Sequence, residues 1–512
     1  MKKHTAKKYF LSCIDKAAWK CYNVKMKYAF QILRKESAYE KKSCAYFGDA
    51  YPVRDCGGNT PSESTKSNGE TDVQTESVTE TEAVDPVVKR DFDGYTFRFL
   101  NGNTSYEHNA LVIEEETADI IDNAFYLRNM RVGERFNITF AETITKSPQA
   151  DYTASSIAGD QSFDIATLRM EWAFPIVVEN QALPWTQIPN IDLTQDYWVQ
   201  NSLSAFSLMH NVYFAVSAFD ITHYDSVRTF AFNKRLIDQY QLESPYALVS
   251  AGKWTLDTYM EQGMAIANDV DGDGKWTSAD MYSTDSNSNV YVNTLMAGIG
   301  SILSIQKDKD DMPYFNLEEE YYLNRMAKVS DMMKERQNGL IATNAFASGH
   351  ALFYNNLICT LSGLREMEDE FGIIPAPKYD EEQAEYINLG GSPFFMVIPV
   401  FSDDLDRTGA IMEGLAVDSV GLIDVAYYDK LLKGKTSRDE ESSGMLDLIF
   451  STLEYYHPLA NSYLNAPLAD NYIWNSSDQI VSYLQSVKGK IESEIDTALD
   501  TYKTNMGIAS AQ

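Results

Sequence analysis

Cysteine is scarce here, and it lies in the wrong place for a disulfide-built fold: Cys13, Cys21, Cys44 and Cys56 crowd the N-terminal stretch, and Cys359 stands by itself in the body. A disulfide within the body is therefore excluded, and with no Cys-x-x-Cys pair the spacing fits no zinc-ligand pattern. Histidine is equally sparse. His4, His108, His210, His223, His350 and His457 occur singly, without metal-ligand spacing. No apolar run approaches 18 residues, so no spanning helix is expected. There is no Gly-x-Ser-x-Gly elbow, no His-Glu-x-x-His helix and no Gly-x-Gly-x-x-Gly turn. Gly434-Lys435-Thr436 does occur, but Asp429 stands where a phosphate loop needs its first glycine. Positive charge is also short. The formal net charge is -31; residues 1–56 hold 13 Lys and Arg against 5 Asp and Glu, which leaves 30 against 69 for the rest. An acidic body repels a polyanion, because nucleic-acid affinity rests largely on phosphate neutralisation by Lys and Arg. Nucleic acid is not an expected partner.

What is present is an ordinary globular composition, 44% hydrophobic and 12% aromatic over 512 residues, enough for two or three domains. Residues 1–56 form an atypical basic region. Residues 57–90 read as a solvated tether, because the run from Asn59 to Asp85 is rich in Ser, Thr and Glu and has no aromatic. Cys56-Gly57-Gly58-Asn59, just before it, resembles the lipid-modified cysteine and linker of bacterial surface lipoproteins. Such a cysteine should follow a basic start, an apolar stretch and a small-residue cleavage site. Here Lys2, Lys3, Lys7 and Lys8 supply only the first, and Val53-Arg54-Asp55 stands in place of the last. No export signal is readable, and the expectation is that residues 1 to about 55 are mis-started or frame-shifted relative to a true leader.

The body alternates strands and helices. Tyr95, Phe97 and Phe99 alternate with Thr96 and Arg98, which predicts a strand over 95–100. Ile120, Ile121, Ala124, Phe125 and Leu127 recur at helical spacing and predict a helix within 117–134. Strands are expected at 136–140, 163–168 and 211–219, with a loop at 180–197 broken by Pro184 and Pro189. A strand interrupted by Gly390-Gly391 is expected over 386–400, a helix at 405–417, and a mainly helical tail over 441–505. Alternation of this kind predicts an α/β fold with crossover connections.

The run from Phe230 to Tyr259 (FAFNKRLIDQYQLESPYALVSAGKWTLDTY) resembles the most recognisable stretch of the family 1 extracellular solute-binding proteins, with Phe232, Asn233, Lys234, Leu242, Pro245 and Trp254 in the matching places. On the residues alone, Asn233 is a helix cap and Trp254 a core residue. Gly159–Leu168, Phe346–Ala351 (FASGHA), Phe371–Pro377 (FGIIPAP) and the block 383–417 resemble further segments of that family in its order, so the likeness spans about 91–505. It implies a type II periplasmic-binding-protein-like fold: two lobes, each a mixed sheet flanked by helices. Residues 91–218 plus 388–440 would form the first lobe and 222–385 plus 441–505 the second. Hinge crossovers would lie near 215–222, 386–394 and 435–442.

The same resemblance implies a non-enzymatic protein on the extracellular face of the membrane, lipid-anchored through Cys56. It would act as a monomer and hand a solute to the permease subunits of an ABC-type importer. A mono- or oligosaccharide is the preferred solute, because sugar sites combine aromatic faces with a few fixed polar groups. Candidates at strand-to-loop ends are Asn101, Asn103, Arg169, Trp172, Tyr354, Asn355, Ser392 and Trp474. Only Arg169 supplies positive charge among them, which favours a neutral sugar over an anionic solute. The competing classes are a glycoside hydrolase, which would use paired carboxylates, and a calcium-dependent carbohydrate-binding or adhesion module.

Residues 269–280 (DVDGDGKWTSAD) match an EF-hand-type loop. Asp269, Asp271 and Asp273 would turn alternate carboxylates to one centre, Gly274 would permit the sharp turn, Lys275 would offer its carbonyl, and Asp280 would close the shell. A structural Ca2+ is expected there, held more weakly than with the usual glutamate at the twelfth position.

Overall fold

The computed structural model describes residues 87–301, 305–316, 320–437, 439–457 and 480–508. In chain order the strands are β1 (Tyr95–Asn101), β2 (Ile138–Ile144), β3 (Ile165–Arg169), β4 (Arg228–Asn233), β5 (Tyr282–Ser286), β6 (Ile341–Ala342), β7 (Ala351–Leu357), β8 (Phe371–Ile374) and β9 (Phe394–Val397). The helices used below are α1 (Ile120–Phe136), α2 (Pro148–Ala158), α3 (Met170–Val178), α4 (Lys234–Tyr240), α5 (Leu256–Ile266), α6 (Ser288–Gly298), α7 (Glu320–Met332), α8 (Leu405–Ser419), α9 (Glu440–Ser451) and α10 (Ile480–Asn505).

Two sheets organise the molecule. The first has the order β9-β3-β1-β2, with β1, β2 and β3 parallel and β9 antiparallel to β3. The second has the order β6-β5-β7-β4-β8, in which only β4 runs against its neighbours. Parallel strands need crossover helices, and these cover the apolar sheet faces. Asp119 caps α1 by accepting from Ile121 N and Asp122 N, and Asn137 ends it with φ 51°. That left-handed stop occupies the position where the sequence suggested a strand beginning at Phe136, so the helix keeps Phe136 and the strand starts at Ile138.

The chain leaves the first sheet through a nearly wholly buried run, 213–227, and enters the second at Arg228. The apolar strand expected over 211–219 is not a strand: only Asn211–Val212 pairs, with Ser207–Leu208, and 213–218 has no sheet partner. Its hydrophobicity reflects burial of a connecting segment rather than sheet membership. The return passes through Asn388–Leu389, Gly390-Gly391 and β9, and the two passages are bonded together. Ser226 Oγ donates to Gly390 O at 2.9 Å, and Phe394 N donates to Thr222 Oγ1 at 3.0 Å. A third passage follows α8 as a π-helix, Val420–Thr436, and ends at α9. Helix α9 is fixed to the second sheet, where Asp439 takes hydrogen bonds from Lys234 and Tyr246 and Ser442 Oγ receives Ile373 N. The first passage is buried, and among the described residues both sheets fall in one unit.

The two structural readings of the family-like run hold. Asn233 accepts from Leu236 N at 3.1 Å and caps α4. Trp254 is fully buried, donates to Pro375 O at 3.0 Å and meets Tyr259 and Phe353. Helix α10, expected with the second lobe, reaches the first: Tyr502 and Tyr213 share a hydroxyl hydrogen bond of 2.8 Å, and Asn505 donates to Val178 O at the end of α3.

Candidate functional site

The carboxyl ends of both parallel strand sets turn toward the passages that join the sheets, which is where α/β sheets bind ligands. In the first sheet, β1 runs into the loop 101–111. Asn101 is 1% exposed, donating to Asn109 O and Glu142 Oε1 and accepting from Asn103 N and Thr167 Oγ1. Asn103, 2% exposed, accepts from Ser105 N and Tyr106 N. These two predicted ligand residues therefore shape the loop that presents Ser105 and Tyr106. Arg169, the last residue of β3, donates to Ser105 Oγ at 2.6 Å and lies 5.4 Å from the Phe394 ring centre and 5.9 Å from that of Trp172. Arg169 and Trp172 thus come together as expected, with Phe394 as an unforeseen third member. Ser392, half-buried, lies two residues before Phe394.

In the second sheet the carboxyl ends of β5, β6 and β7 enclose a polar cavity of about 340 Å³, lined by residues that include Ser286, Asn287, Asn344, Tyr354, Asn356 and Thr360. Its size lies within the range of small-molecule pockets. Tyr354 donates to Thr360 Oγ1 at 2.9 Å and accepts from Asn356 Nδ2 at 3.0 Å. Asn355 points the other way, as strand alternation requires. It is fully buried, donating to Thr229 O and accepting from Ser286 Oγ. Asp285 accepts from Asn344 N and Phe346 N and so fixes the FASGHA turn; burial raises its pKa. Trp474 lies outside the described residues.

Between the two faces lies a cluster that composition did not foretell. Asp225, 5% exposed, accepts from the Tyr427 phenol, and burial pushes its carboxyl up to about 7. Burial likewise pushes the Cys359 thiol up to about 12, with Asp225 adding to it. Tyr106 is raised mainly by burial; Cys359 and Asp225 add to the shift, and Arg169 and Arg228 oppose it. Tyr106 from the first sheet, Cys359 from the second and Asp225 from the joining passage therefore share one neighbourhood. Arg228, at the start of β4, was not singled out in the sequence, because an arginine opening a strand reads as a solvated edge.

The acidic loop closes between α5 and β5 on the bridge Asn268–Met281. Asp269, Asp271 and Asp273 bring carboxylate oxygens within 4.8 Å of one another. Asp269 accepts from Gly272 N at 2.8 Å and Gly274 N at 2.7 Å, and Asp273 accepts from Lys275 N. Gly272 and Gly274 hold φ of 70° and 77°, which side-chain-bearing residues rarely adopt. Asp280 does not close this group. Its two oxygens accept from Val270 N and Thr277 N, so it caps the loop from inside at 1% exposure.

No family model matches the sequence, and a search of curated proteins finds no significant relative. Likeness appears in structure. The fold is the two-lobed periplasmic-binding-protein-like α/β fold, shared with RafE from Streptococcus pneumoniae at a TM-score of 0.51 and 12% identity, over 78% of this chain and 98% of that one. The chain is also similar to the GacH receptor of Streptomyces glaucescens, solved unliganded and with acarbose (TM-score 0.46, 10% identity, 81% of this chain and 100% of that). A further similar structure is the ABC substrate-binding protein Lmo0181 from Listeria monocytogenes in complex with cycloalternan (0.45, 10%, 82% and 100%).

Proposed function

We propose that the protein is the extracellular solute-binding component of an ABC-type importer and holds a saccharide between its two lobes without altering it. The observation that carries this reading is the convergence of two complementary faces on buried joining passages. One is the Arg169–Trp172–Phe394 stack and the other the polar cavity around Tyr354 and Asn356. An aromatic platform combined with fixed hydroxyl and amide groups suits a polyhydroxylated ring. Closure would be a hinge motion about the Ser226–Gly390 and Thr222–Phe394 contacts, and permease subunits would read the closed form. Attachment through a lipid on Cys56 and action as a monomer belong to the same reading. Calorimetric titration with a saccharide panel, followed by a search for cleavage products, tests it. Saturable binding without turnover is expected, and hydrolysis of a bound oligosaccharide would overturn it in favour of a glycosidase.

The acidic loop supports a second, subordinate reading: Asp269, Asp271, Asp273 and the Lys275 carbonyl hold a structural Ca2+ that ties α5 to β5. The position of Asp269 supports it, since its carboxylate already anchors Gly274 N at the sixth place of the loop.

A further inference from the structure

We propose that the solute taken by this cleft carries a carboxylate, received by Arg228 with Arg169 beside it: an acidic saccharide of the uronate class. The inference rests on the solute-binding reading above and narrows its ligand.

Arg228 opens β4, the one strand of the second sheet that runs backwards, and pairs with Leu357 at the carboxyl end of β7. That register puts it on the same sheet edge as the polar cavity, at the point where the chain arrives from the first lobe. The Nε and Nη1 of its guanidinium are buried and meet no hydrogen-bond partner among the described residues. No described carboxylate forms an ion pair with it either. The two arginines that are buried as whole residues are treated differently. Arg128 donates to Phe219 O, Leu111 O and Asn129 Oδ1, and Arg325 to Ile299 O and Gln383 Oε1. A buried guanidinium with unmade hydrogen bonds and no counter-charge is among the more costly arrangements in a folded chain. It persists where a partner arrives from outside.

The character of that partner follows from the neighbours. Tyr106 lies within electrostatic reach of Arg228 and Arg169, and Tyr456 also acts on Arg228. These supply phenols, not compensating charge. Of the carboxyls in this neighbourhood, Asp225 is held by Tyr427 and pushed up to about 7, so near neutrality it is only partly ionised, and Glu107 is exposed to solvent. Arg169 has Glu171 at 3.9 Å on an exposed flank, and its other flank lies over Phe394 and Trp172. Two guanidinium groups therefore act on the same phenol, Tyr106, and Arg228 has no described carboxylate paired with it. The planar fork of arginine matches a carboxylate with two parallel N–H donors, whereas a neutral hydroxyl leaves the buried charge uncompensated. The expectation of a neutral sugar rested on Arg169 being the only cation at the cleft edge; Arg228 changes that count.

The test is calorimetric titration of the full chain with digalacturonate, its uncharged dimethyl ester, maltotriose and galactose 1-phosphate, on wild type, Arg228→Met and Arg228→Lys. We expect digalacturonate to be preferred over its ester, Arg228→Met to weaken the acid by about 100-fold and the ester by no more than about 3-fold, and Arg228→Lys to fall between. Because the substitution to Met removes an unpaired buried charge, the unliganded melting temperature should hold or rise. A drop of several degrees with the acid preference retained would make Arg228 a structural residue and overturn the proposal. Equal affinity for acid, ester and maltotriose would overturn it while leaving saccharide binding intact, and a preference for the phosphate ester would overturn the carboxylate assignment. Failure of every saccharide to bind would remove the solute-binding reading itself, and this inference with it.

Discussion

The Tyr427 phenol donates its hydrogen bond to the Asp225 carboxylate, tying the π-helical passage between α8 and α9 to the first passage between the sheets. Asp225 is buried, and that burial raises its carboxyl from 3.8 to about 7. A carboxyl whose pKa is higher in the folded state stabilises the fold fully below its unfolded value. That contribution is lost as pH rises toward the folded value. His223 works in the opposite sense: burial lowers it from 6.5 to about 4, so its contribution is present above 6.5 and lost as pH falls toward 4. Comparison with Asp225→Asn separates the two, since Asn retains an acceptor for Tyr427. The melting temperature of wild type relative to this variant should decline between pH 5 and pH 8, by the equivalent of roughly 2 kcal/mol. Parallel curves would show that Asp225 does not titrate in this window.

Gly391 has φ 68°, and a Cβ there would lie 2.0 Å from Ser226 O. The first and return passages cross at this point, and only a residue without a side chain lets them touch. Gly391→Ala should cost at least about 2 kcal/mol, from the left-handed backbone and the displaced Ser226 carbonyl together. Gly489→Ala is the control. It sits in α10 with open space around it and should be neutral or stabilising by about 0.5–1 kcal/mol. Equal melting temperatures for Gly391→Ala and wild type would mean that the passages are not in contact at this residue.

Much of the first sheet was legible, because period-two alternation at Tyr95–Phe99 and period-3.6 spacing at Ile120–Leu127 are local signals that burial reinforces. Asn233 was legible as a helix cap from its residue type ahead of a helix, and Trp254 as core from its apolar bulk. What misled was the run 213–219, whose apolarity comes from tertiary burial of an unpaired segment and leaves no periodic trace that separates it from a strand. The site was legible only in part. Arg169, Trp172 and Tyr354 stand at strand ends that the pattern marks, but Asn101, Asn103 and Asn355 stand there too and serve the backbone. Whether an asparagine faces inward or outward depends on loop geometry and register. Arg228 and Asp225 were invisible because their burial is created by segments more than a hundred residues away.

The acidic loop gives a prediction that its own geometry makes sharp. Three carboxylates within 4.8 Å repel one another without a cation, and Asp280 accepts from Val270 N and Thr277 N at the base of the loop. Added Ca2+ should raise the melting temperature and a chelator should lower it, with Asp269→Asn abolishing the difference. Mg2+ should do less, because it demands near-ideal octahedral geometry and gives up its waters reluctantly. An unchanged midpoint with and without chelator would remove the cation from this loop. A loss of stability in Asp280→Asn without loss of the Ca2+ response would confirm that Asp280 is a cap.

The stacking face and the polar cavity should contribute separably to solute binding. Trp172 is half-buried, lies 6.5 Å from Phe394 in an edge-to-face pair with the Arg169 guanidinium 5.9 Å from its ring centre, and so leaves only part of its ring for a solute. Trp172→Ala should weaken binding of the best saccharide by roughly 10- to 100-fold, with a modest fall in melting temperature because the half-buried ring packs against the core. Tyr354→Phe keeps the ring and removes the hydroxyl that joins Asn356 to Thr360, so a smaller loss of about 5- to 10-fold is expected. Because the two residues sit beside different sheets and do not touch, their effects should add in the double variant within about 0.5 kcal/mol. An affinity unchanged in both single variants, measured by calorimetry on folded protein, would place the solute elsewhere.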